Sequence, residues 1–302
     1  MFYHDNKLQY EVKCDNPDPL FAKALQQAIG GIEGEMRVCL QYLFQAWNQP
    51  PSNAKYRDML LNTGTEEIAH IEMLCTAVAL NLEGAPTDVK DEAAKDPVVR
   101  ATLGGMQPRQ FLSAGLGALP TDSNGVPFTG AYIVGSGNLA GDMYANVMAE
   151  STGRTLAARL YQMTDDKGMK DMLRFLLARD TMHQNQWLAV IEELGGAEAV
   201  HPIPNSIPQS EEMKGPHIEE MNLSYAFMST HTEPQENPGA RYTQGKSIDG
   251  NGEFSFIPKM EPLGGEPKLP EPPPATFDAV DGVDKLMTGA AKMGQKVKDA
   301  VT

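Results

Sequence analysis

At 302 residues the chain is long enough to bury a sizeable core, and its formal net charge of −15 excludes non-specific attraction to nucleic acid or anionic membrane, whose surfaces would repel it. Its 41% apolar and 22% charged residues are typical of a globular domain, and no apolar run approaches the roughly 18 residues that a membrane helix needs. Cys14, Cys39 and Cys75 are odd in number and lack metal-site or redox spacing, and Met1–Lys7 has no basic segment followed by an apolar one, so reduced thiols in packing roles and a cytoplasmic address are expected.

Residues 1–16 form an N-terminal arm in which Leu8-Gln9-Tyr10-Glu11-Val12 alternates as a strand or a segment laid on a neighbour would. Asn16-Pro17-Asp18-Pro19 starts a helix, and Leu20, Ala24, Ala28, Ile32, Glu35, Met36, Cys39, Tyr42 and Trp47 continue it as one long amphipathic element to Pro50-Pro51. A second helix opens near Ser52 or Asn53, carries Leu60, Thr63, Glu67, His70, Leu74 and Val78 on one stripe, and stops at Glu83-Gly84-Ala85-Pro86. The short Pro-Pro link makes these two helices antiparallel neighbours.

Residues 84–137 are punctuated by glycine and proline between short apolar pieces such as Gln110-Phe111-Leu112 and Ala131-Tyr132-Ile133-Val134, which reads as a long crossover. A third helix runs from Asn138 to about Met163, and after Thr164-Asp165-Asp166-Lys167-Gly168 a fourth runs to about Leu194, where Gly195-Gly196 ends it. Four long helices with one long middle connection give an all-α, ferritin-like four-helix bundle over residues 17–196. Thirteen of the 22 prolines then fall between Pro202 and Pro274, and helical periodicity vanishes. Residues 197–302 are therefore expected to be an extended, irregular Pro/Gly-rich tail. Its aromatics, among them Tyr225, Phe227, Tyr242, Phe254, Phe256 and Phe277, suit a segment that wraps the core or a neighbouring subunit, and residues 278–302 carry a weak amphipathic helical pattern.

The chemistry lies on the inward stripes. Glu67 and His70 are three residues apart and share a helix face with apolar and small residues. The first helix points Glu35 inward, the third Glu150, and the fourth Asp180 and His183, so each half of the bundle repeats a carboxylate followed by carboxylate-x-x-His. A single histidine on such a stripe is more often a packed core residue than a ligand. Carboxylates in phase with the apolar stripe on four separate helices are different, because each carries a burial cost that a divalent cation removes. Glu66 reads as flanking the site, and Tyr42 as a packing tyrosine whose hydroxyl reaches a ligand carboxylate. Asp180 has the shorter side chain where a di-iron protein has Glu, and reads as a partner orienting a ligand or as a proton acceptor.

Three other motifs have ordinary explanations. Gly135-Ser136-Gly137-Asn138-Leu139-Ala140 matches a dinucleotide fingerprint after the strand-like Ala131–Val134, yet no second strand follows, so a glycine turn into a helix cap accounts for it. Asp249-Gly250-Asn251-Gly252-Glu253 lacks the glycine spacing and final Glu of a calcium loop and reads as a turn. Asn222-Leu223-Ser224 is a glycosylation sequon only in a secreted protein.

With Glu35 in Gly31-Ile32-Glu33-Gly34-Glu35, Glu67 and His70 in Thr65-Glu66-Glu67-Ile68-Ala69-His70-Ile71-Glu72, Glu150 after Ala149, and His183 in Arg179-Asp180-Thr181-Met182-His183-Gln184, the chain resembles the non-haem manganese catalases from Met1 to about Tyr225. The resemblance implies two manganese ions per chain. Glu67 would bridge them, with Glu35 and His70 on one ion, Glu150 and His183 on the other, and Tyr42 hydrogen-bonded behind them. It also implies hydrogen peroxide as substrate, a homohexamer whose tails embrace neighbours, and calcium at Asp58, Asn62, Asn222 and Ser224. Some members carry arginine where this chain has Ala149, together with Glu where Asp180 stands, so a wider access route is expected here and the identity of the proton-handling group stays open.

The implied reaction is disproportionation of hydrogen peroxide to dioxygen and water, with a manganese pair cycling by two electrons and a carboxylate such as Asp180 handling protons. Ligand type alone does not separate manganese from iron, so a ferritin-like iron oxidation or storage protein is the alternative. A rubrerythrin-like peroxidase would need a Cys-x-x-Cys module that the sequence lacks. A coat or stress protein with a vestigial site is a third reading, against which the full ligand set weighs.

Overall fold

The protein is described by a computed structural model covering residues 5–85, 107–204, 211, 214, 217–229, 240–259, 261–268 and 270. The expectations for residues 278–302, for Phe277 and for the 86–106 part of the crossover lie outside these residues. Met1–Phe227 with Asn237–Phe256 forms one compact unit that holds every described helix, and Met228–Glu236 with Ile257–Thr302 forms a second.

The helices are α1 (Pro19–Gly30), α2 (Glu35–Trp47), α3 (Ala54–Asn81), α4 (Pro108–Leu112), α5 (Leu139–Met163), α6 (Lys167–Glu193) and α7 (Ala197–Val200). Their starts follow from capping. Asp18 accepts from the amides of Leu20 and Phe21 at 2.9 and 3.2 Å, Asn138 from Gly141 at 2.9 Å, and Asp166 from Met169 at 3.0 Å. A 3-10 turn, Pro51–Asn53, feeds α3 in place of a side-chain cap. α2 packs on α3 and α5 on α6, and the two hairpins face each other through α2–α5 and α3–α6 contacts.

The first helix expected from the sequence is in fact two. The chain breaks at Gly31–Gly34 between α1 and α2, where Gly31 turns extended, and glycine is needed in the bend because a Cβ on Gly34 would lie 2.7 Å from the Ile29 carbonyl oxygen. The amphipathic period runs through the break, so periodicity alone could not show it.

The crossover returns along α1 and α2 and is tied down by buried amides. Gln26 on α1 donates to the Thr121 carbonyl at 2.8 Å and accepts from the Leu119 amide at 3.1 Å. Gln41 and Gln45 on α2 and Asn146 on α5 form a buried network that also bonds the Val134 backbone, with Val134 N–H to Gln41 Oε1 at 3.1 Å and Gln45 Nε2 to Val134 O at 3.0 Å. The strand expected at Ala131–Val134 is instead a 3-10 turn, Gly130–Tyr132, which leaves the glycine motif after it as a cap for α5 and nothing more.

Among the described residues of the N-terminal arm, 5–16, no strand forms. The arm lies on its own bundle, with Leu8, Val12 and Cys14 against the core and the amides of Asp15 and Asn16 donating to Asp166 at the start of α6. Beyond the bundle, the region expected to be irregular contains three short strands, β1 (Ala226–Met228), β2 (Gly245–Lys246) and β3 (Glu253–Ile257), in the order β1–β3–β2. Phe227 stacks on Phe256 and meets Tyr242 edge-on, which gives the tail aromatics a packing role.

Two apolar clusters fill the bundle. One gathers Phe21, Leu25, Ile29, Met73, Leu74, Leu160, Met172 and Leu176, the other Val38, Tyr42, Leu60, Met143, Trp187 and Val190. Each fully buried Leu, Ile, Met or Phe side chain contributes about 1.5–3 kcal/mol. On α3 the residues between the clusters include Glu67 and His70; on α6 they include Asp180 and His183; on α5 Glu150, and on α2 Glu35. The bundle therefore carries a polar layer between two apolar ends.

Candidate metal centre

Helix periodicity delivers the polar layer. Glu67 and His70 leave α3 three residues apart, Asp180 and His183 leave α6 in the same way, and Glu35 and Glu150 enter from α2 and α5. Their ligand atoms converge as two groups, Glu35 with His70 and Asp180, and Glu67 with Glu150 and His183, each group lying within 4.8 Å. All six residues singled out by the sequence are thus in one place.

Glu67 stands at the centre. Its Oε2 lies 2.6 Å from His70 Nδ1 and its Oε1 lies 2.9 Å from His183 Nδ1, so the two oxygens of one carboxylate face the two imidazoles. Glu35 Oε2 is 4.0 Å from His70 Nδ1, and Glu150 Oε1 is 3.6 Å from His183 Nδ1. The rings are nearly parallel, with centroids 5.8 Å apart. Despite these distances, both Glu67 oxygens and the Nδ1 atoms of both histidines are buried and not hydrogen-bonded among the described residues. Buried polar atoms that crowd together without a hydrogen-bond partner fit ligation of a cation between them.

Behind these atoms sits Glu66. Its Oε2 is 3.0 Å from His183 Nε2, its Oε1 is 3.7 Å from His70 Nε2, and Arg179 grips both oxygens, Nε at 2.7 Å and Nη2 at 3.1 Å. Gln9 of the N-terminal arm donates to Oε1 at 2.8 Å. Sequence reasoning placed Glu66 at the flank but missed Arg179 and Gln9, because neither lies on an inward stripe and Gln9 precedes the bundle altogether. Tyr42, fully buried, donates its hydroxyl to Glu150 Oε1.

The electrostatics favour cations. Burial, then the charges of Glu67 and Asp180, raise Glu35 well above the usual carboxylate range. Burial with Glu150 and Glu67 does the same to Asp180, and burial with Glu67 raises Glu150 against the opposing pull of His183 and Tyr42. Burial opposes charge on Glu67 too, yet His183 and His70 outweigh it and bring the group to about 2. The same field overcomes burial at the imidazoles, with Glu66 and Glu67 pushing His70 up to about 11 and Glu150, Glu66 and Glu67 pushing His183 up to about 12. Four crowded carboxylates, of which Glu67, Glu150 and Asp180 are buried and Glu35 is partly so, raise two histidines and form a site that takes positive charge. A carboxylate-rich set with two imidazoles fits divalent first-row metals.

The remaining sequence candidates lie apart from this centre. Ala149 is buried in the second apolar cluster. Asp58 and Asn62 are exposed on α3, while Asn222 donates its amide to the Glu253 carbonyl and Ser255 Oγ, both at 2.9 Å, in the turn before β1 that also contains Ser224. Asp249 caps a tight turn by accepting from Asn251 N–H at 3.1 Å and from the Ser247 and Tyr225 hydroxyls at 2.5 and 2.9 Å.

Comparison with known proteins agrees with this geometry. The family described as manganese containing catalase matches residues 1–293. A manganese catalase of Bacillus subtilis is 46% identical over 282 residues, covering 93% of this chain and 99% of that protein. A manganese catalase of Lactiplantibacillus plantarum is 38% identical over 269 residues, covering 89% and 96% of the two chains. The crystal structure of KatB, a manganese catalase from Anabaena, superposes with a TM-score of 0.62 at 22% identity over 85% of this chain and 99% of that one, which shows a shared fold. The chain, with carboxylates and histidines converging from its helices and a match to the family over nearly its whole length, belongs to the manganese-containing catalases.

Proposed function

We propose that the protein is a catalase that disproportionates hydrogen peroxide to dioxygen and water, with two manganese ions per chain held by Glu35, Glu67, His70, Glu150 and His183. The observation that carries this reading is Glu67, whose two oxygens face the Nδ1 atoms of His70 and His183 at 2.6 and 2.9 Å. One carboxylate facing two imidazoles would let Glu67 hold metal together with both histidines. The charge count agrees: Arg179 offsets Glu66, and Glu35, Glu67, Glu150 and Asp180 leave four negative charges, which two divalent cations cancel when the imidazoles are neutral.

When bound, the metal pair supplies the two-electron redox change that lets one peroxide be reduced to water and a second be oxidised to dioxygen. The protein supplies position and protons. Asp180, 4% exposed, sits beside Glu35 and His70 and serves as the proton acceptor at its carboxylate. Tyr42 holds Glu150 in place from behind through its hydroxyl, and the apolar clusters above and below keep bulk water from the layer.

The same reading includes a homohexamer whose tails embrace neighbours, supported by the large apolar side chains left exposed on the bundle, among them Phe44, Trp47, Ile68 and Met148. Light scattering tests it. Calcium at Asp58, Asn62, Asn222 and Ser224 rests on the family resemblance and is checked by calcium content after purification. Three free thiols support a cytoplasmic address.

Elemental analysis of protein from manganese-supplemented cells, run with dioxygen release from peroxide in the presence of azide, tests the central claim. About two manganese per chain with azide-tolerant oxygen evolution is expected from this arrangement of ligands. Iron without oxygen evolution would move the chain to an iron-storage role. Glu67→Ala and His183→Ala should each abolish metal retention, and full metal in either variant would overturn the ligand assignment.

A further inference from the structure

Glu66 is the acidic group that faces the rear nitrogen of both site histidines. His183 Nε2 lies 3.0 Å from Oε2, while His70 Nε2, buried and without a hydrogen-bond partner, has Oε1 as the carboxylate oxygen facing it at 3.7 Å. The carboxylate is itself held rigidly. Arg179 pairs with both oxygens, and Gln9 adds a third donor from a different part of the chain. The arm that brings Gln9 is fixed by its neighbour Tyr10, stacked on Phe175 with centroids 4.7 Å apart, and Phe175 in turn meets His70 edge-on at 6.4 Å.

Imidazole has two nitrogens, and the hydrogen bond at one decides which is free to bind a metal. Where Nε2–H donates to a carboxylate, as that of His183 does to Glu66 Oε2, Nδ1 is left as the lone-pair donor. The Nδ1 atoms are the ones turned toward Glu67.

We propose that Glu66 is a positioning residue shared by both halves of the metal centre: a single carboxylate, clamped by Arg179 and Gln9, that sets the tautomer of His183 through the hydrogen bond at Nε2 and orients His70 through the charge that faces its Nε2 at 3.7 Å. This rests on the manganese-binding reading above. A carboxylate is needed for the double role because it offers an acceptor oxygen to each ring. Glutamine offers one oxygen and one N–H₂, and the latter would meet an imidazole N–H head-on. Arg179 offsets the charge of Glu66, so the pair directs the rings without adding net charge to the layer.

The test measures manganese binding to the full-length chain after chelation, with electron paramagnetic resonance of the bound metal. Glu66→Ala should lower manganese affinity about 10- to 100-fold. Glu66→Gln, which keeps the volume, should act unevenly, retaining metal in one half and giving the signal of isolated Mn(II) in place of a coupled pair. Glu193→Ala, which breaks the exposed Lys55–Glu193 pair, should change neither readout and controls for loss of an ion pair in general. If Glu66→Ala fails to fold, Glu66→Gln decides the matter. Wild-type affinity and a coupled-pair signal in the Glu66 variants would overturn the positioning role. Absence of manganese from the wild-type chain would overturn the metal reading itself, a separate outcome.

Discussion

Tyr42 on α2 donates its hydroxyl to Glu150 on α5, so a hydrogen bond between the two hairpins ends on a carboxylate of the polar layer. Burial, followed by the charges of Glu150 and Glu67, raises the Tyr42 phenol well above its ordinary value, so it remains a donor throughout the working pH range. Tyr42→Phe keeps the ring and its packing against Trp187 but frees Glu150. Removing this donor should cost about 1–3 kcal/mol of stability and about 10- to 100-fold in activity or metal affinity. Thermal melting and oxygen-electrode rates check both.

Asp180→Asn separates two roles. As a proton acceptor Asp180 is needed for turnover and not for retention, so the variant should hold wild-type manganese while the rate falls about 10²- to 10⁴-fold. Its carboxylate also lies within 4.8 Å of the ligand atoms of Glu35 and His70. Loss of metal in the variant would therefore assign it to coordination instead.

Removing the metal should make stability fall as pH rises. In the metal-free chain Glu35, Glu150 and Asp180 are held above their unfolded values, and His70 and His183 are raised to about 11 and 12. The folded state then binds more protons than the unfolded state, so stability falls as pH rises. The histidine contribution is complete below their unfolded value of about 6.5 and is lost as pH climbs toward the folded values. Glu67, at about 2, acts in the opposite sense only below about pH 4. Melting of chelated protein from pH 6 to 9 should decline, whereas the loaded protein should hold its stability, since the cations replace the protons.

Gly30→Ala tests the seam between α1 and the crossover. A Cβ there would stand 2.5 Å from the Thr121 carbonyl oxygen and 2.6 Å from its carbonyl carbon and amide nitrogen, all backbone atoms that cannot swing aside. The expected loss is about 1–3 kcal/mol, read as a lowered melting temperature. Gly130→Ala, where a Cβ would meet nothing within 4 Å, is the control and should be near neutral.

By itself the sequence determined the bundle, its long crossover and the six residues that meet in the polar layer, because a period of 3.6 fixes which side chains share a helix face, and carboxylates in phase with four apolar stripes require a common counter-charge. The tertiary structure decided everything that depends on neighbours distant in the chain. The break at Gly31–Gly34 preserves the apolar period and becomes visible only where backbone meets backbone. Ala131–Val134 has the composition of a strand, but the Val134 backbone is bonded by the Gln41 and Gln45 side chains and the segment turns. The clamp of Arg179 and Gln9 on Glu66 joins residues 113 and 57 positions away, neither marked by any periodicity. Spacing along one helix encodes what points inward; which groups meet there, and which nitrogen of each histidine is left free, is set by how the helices and the arm pack.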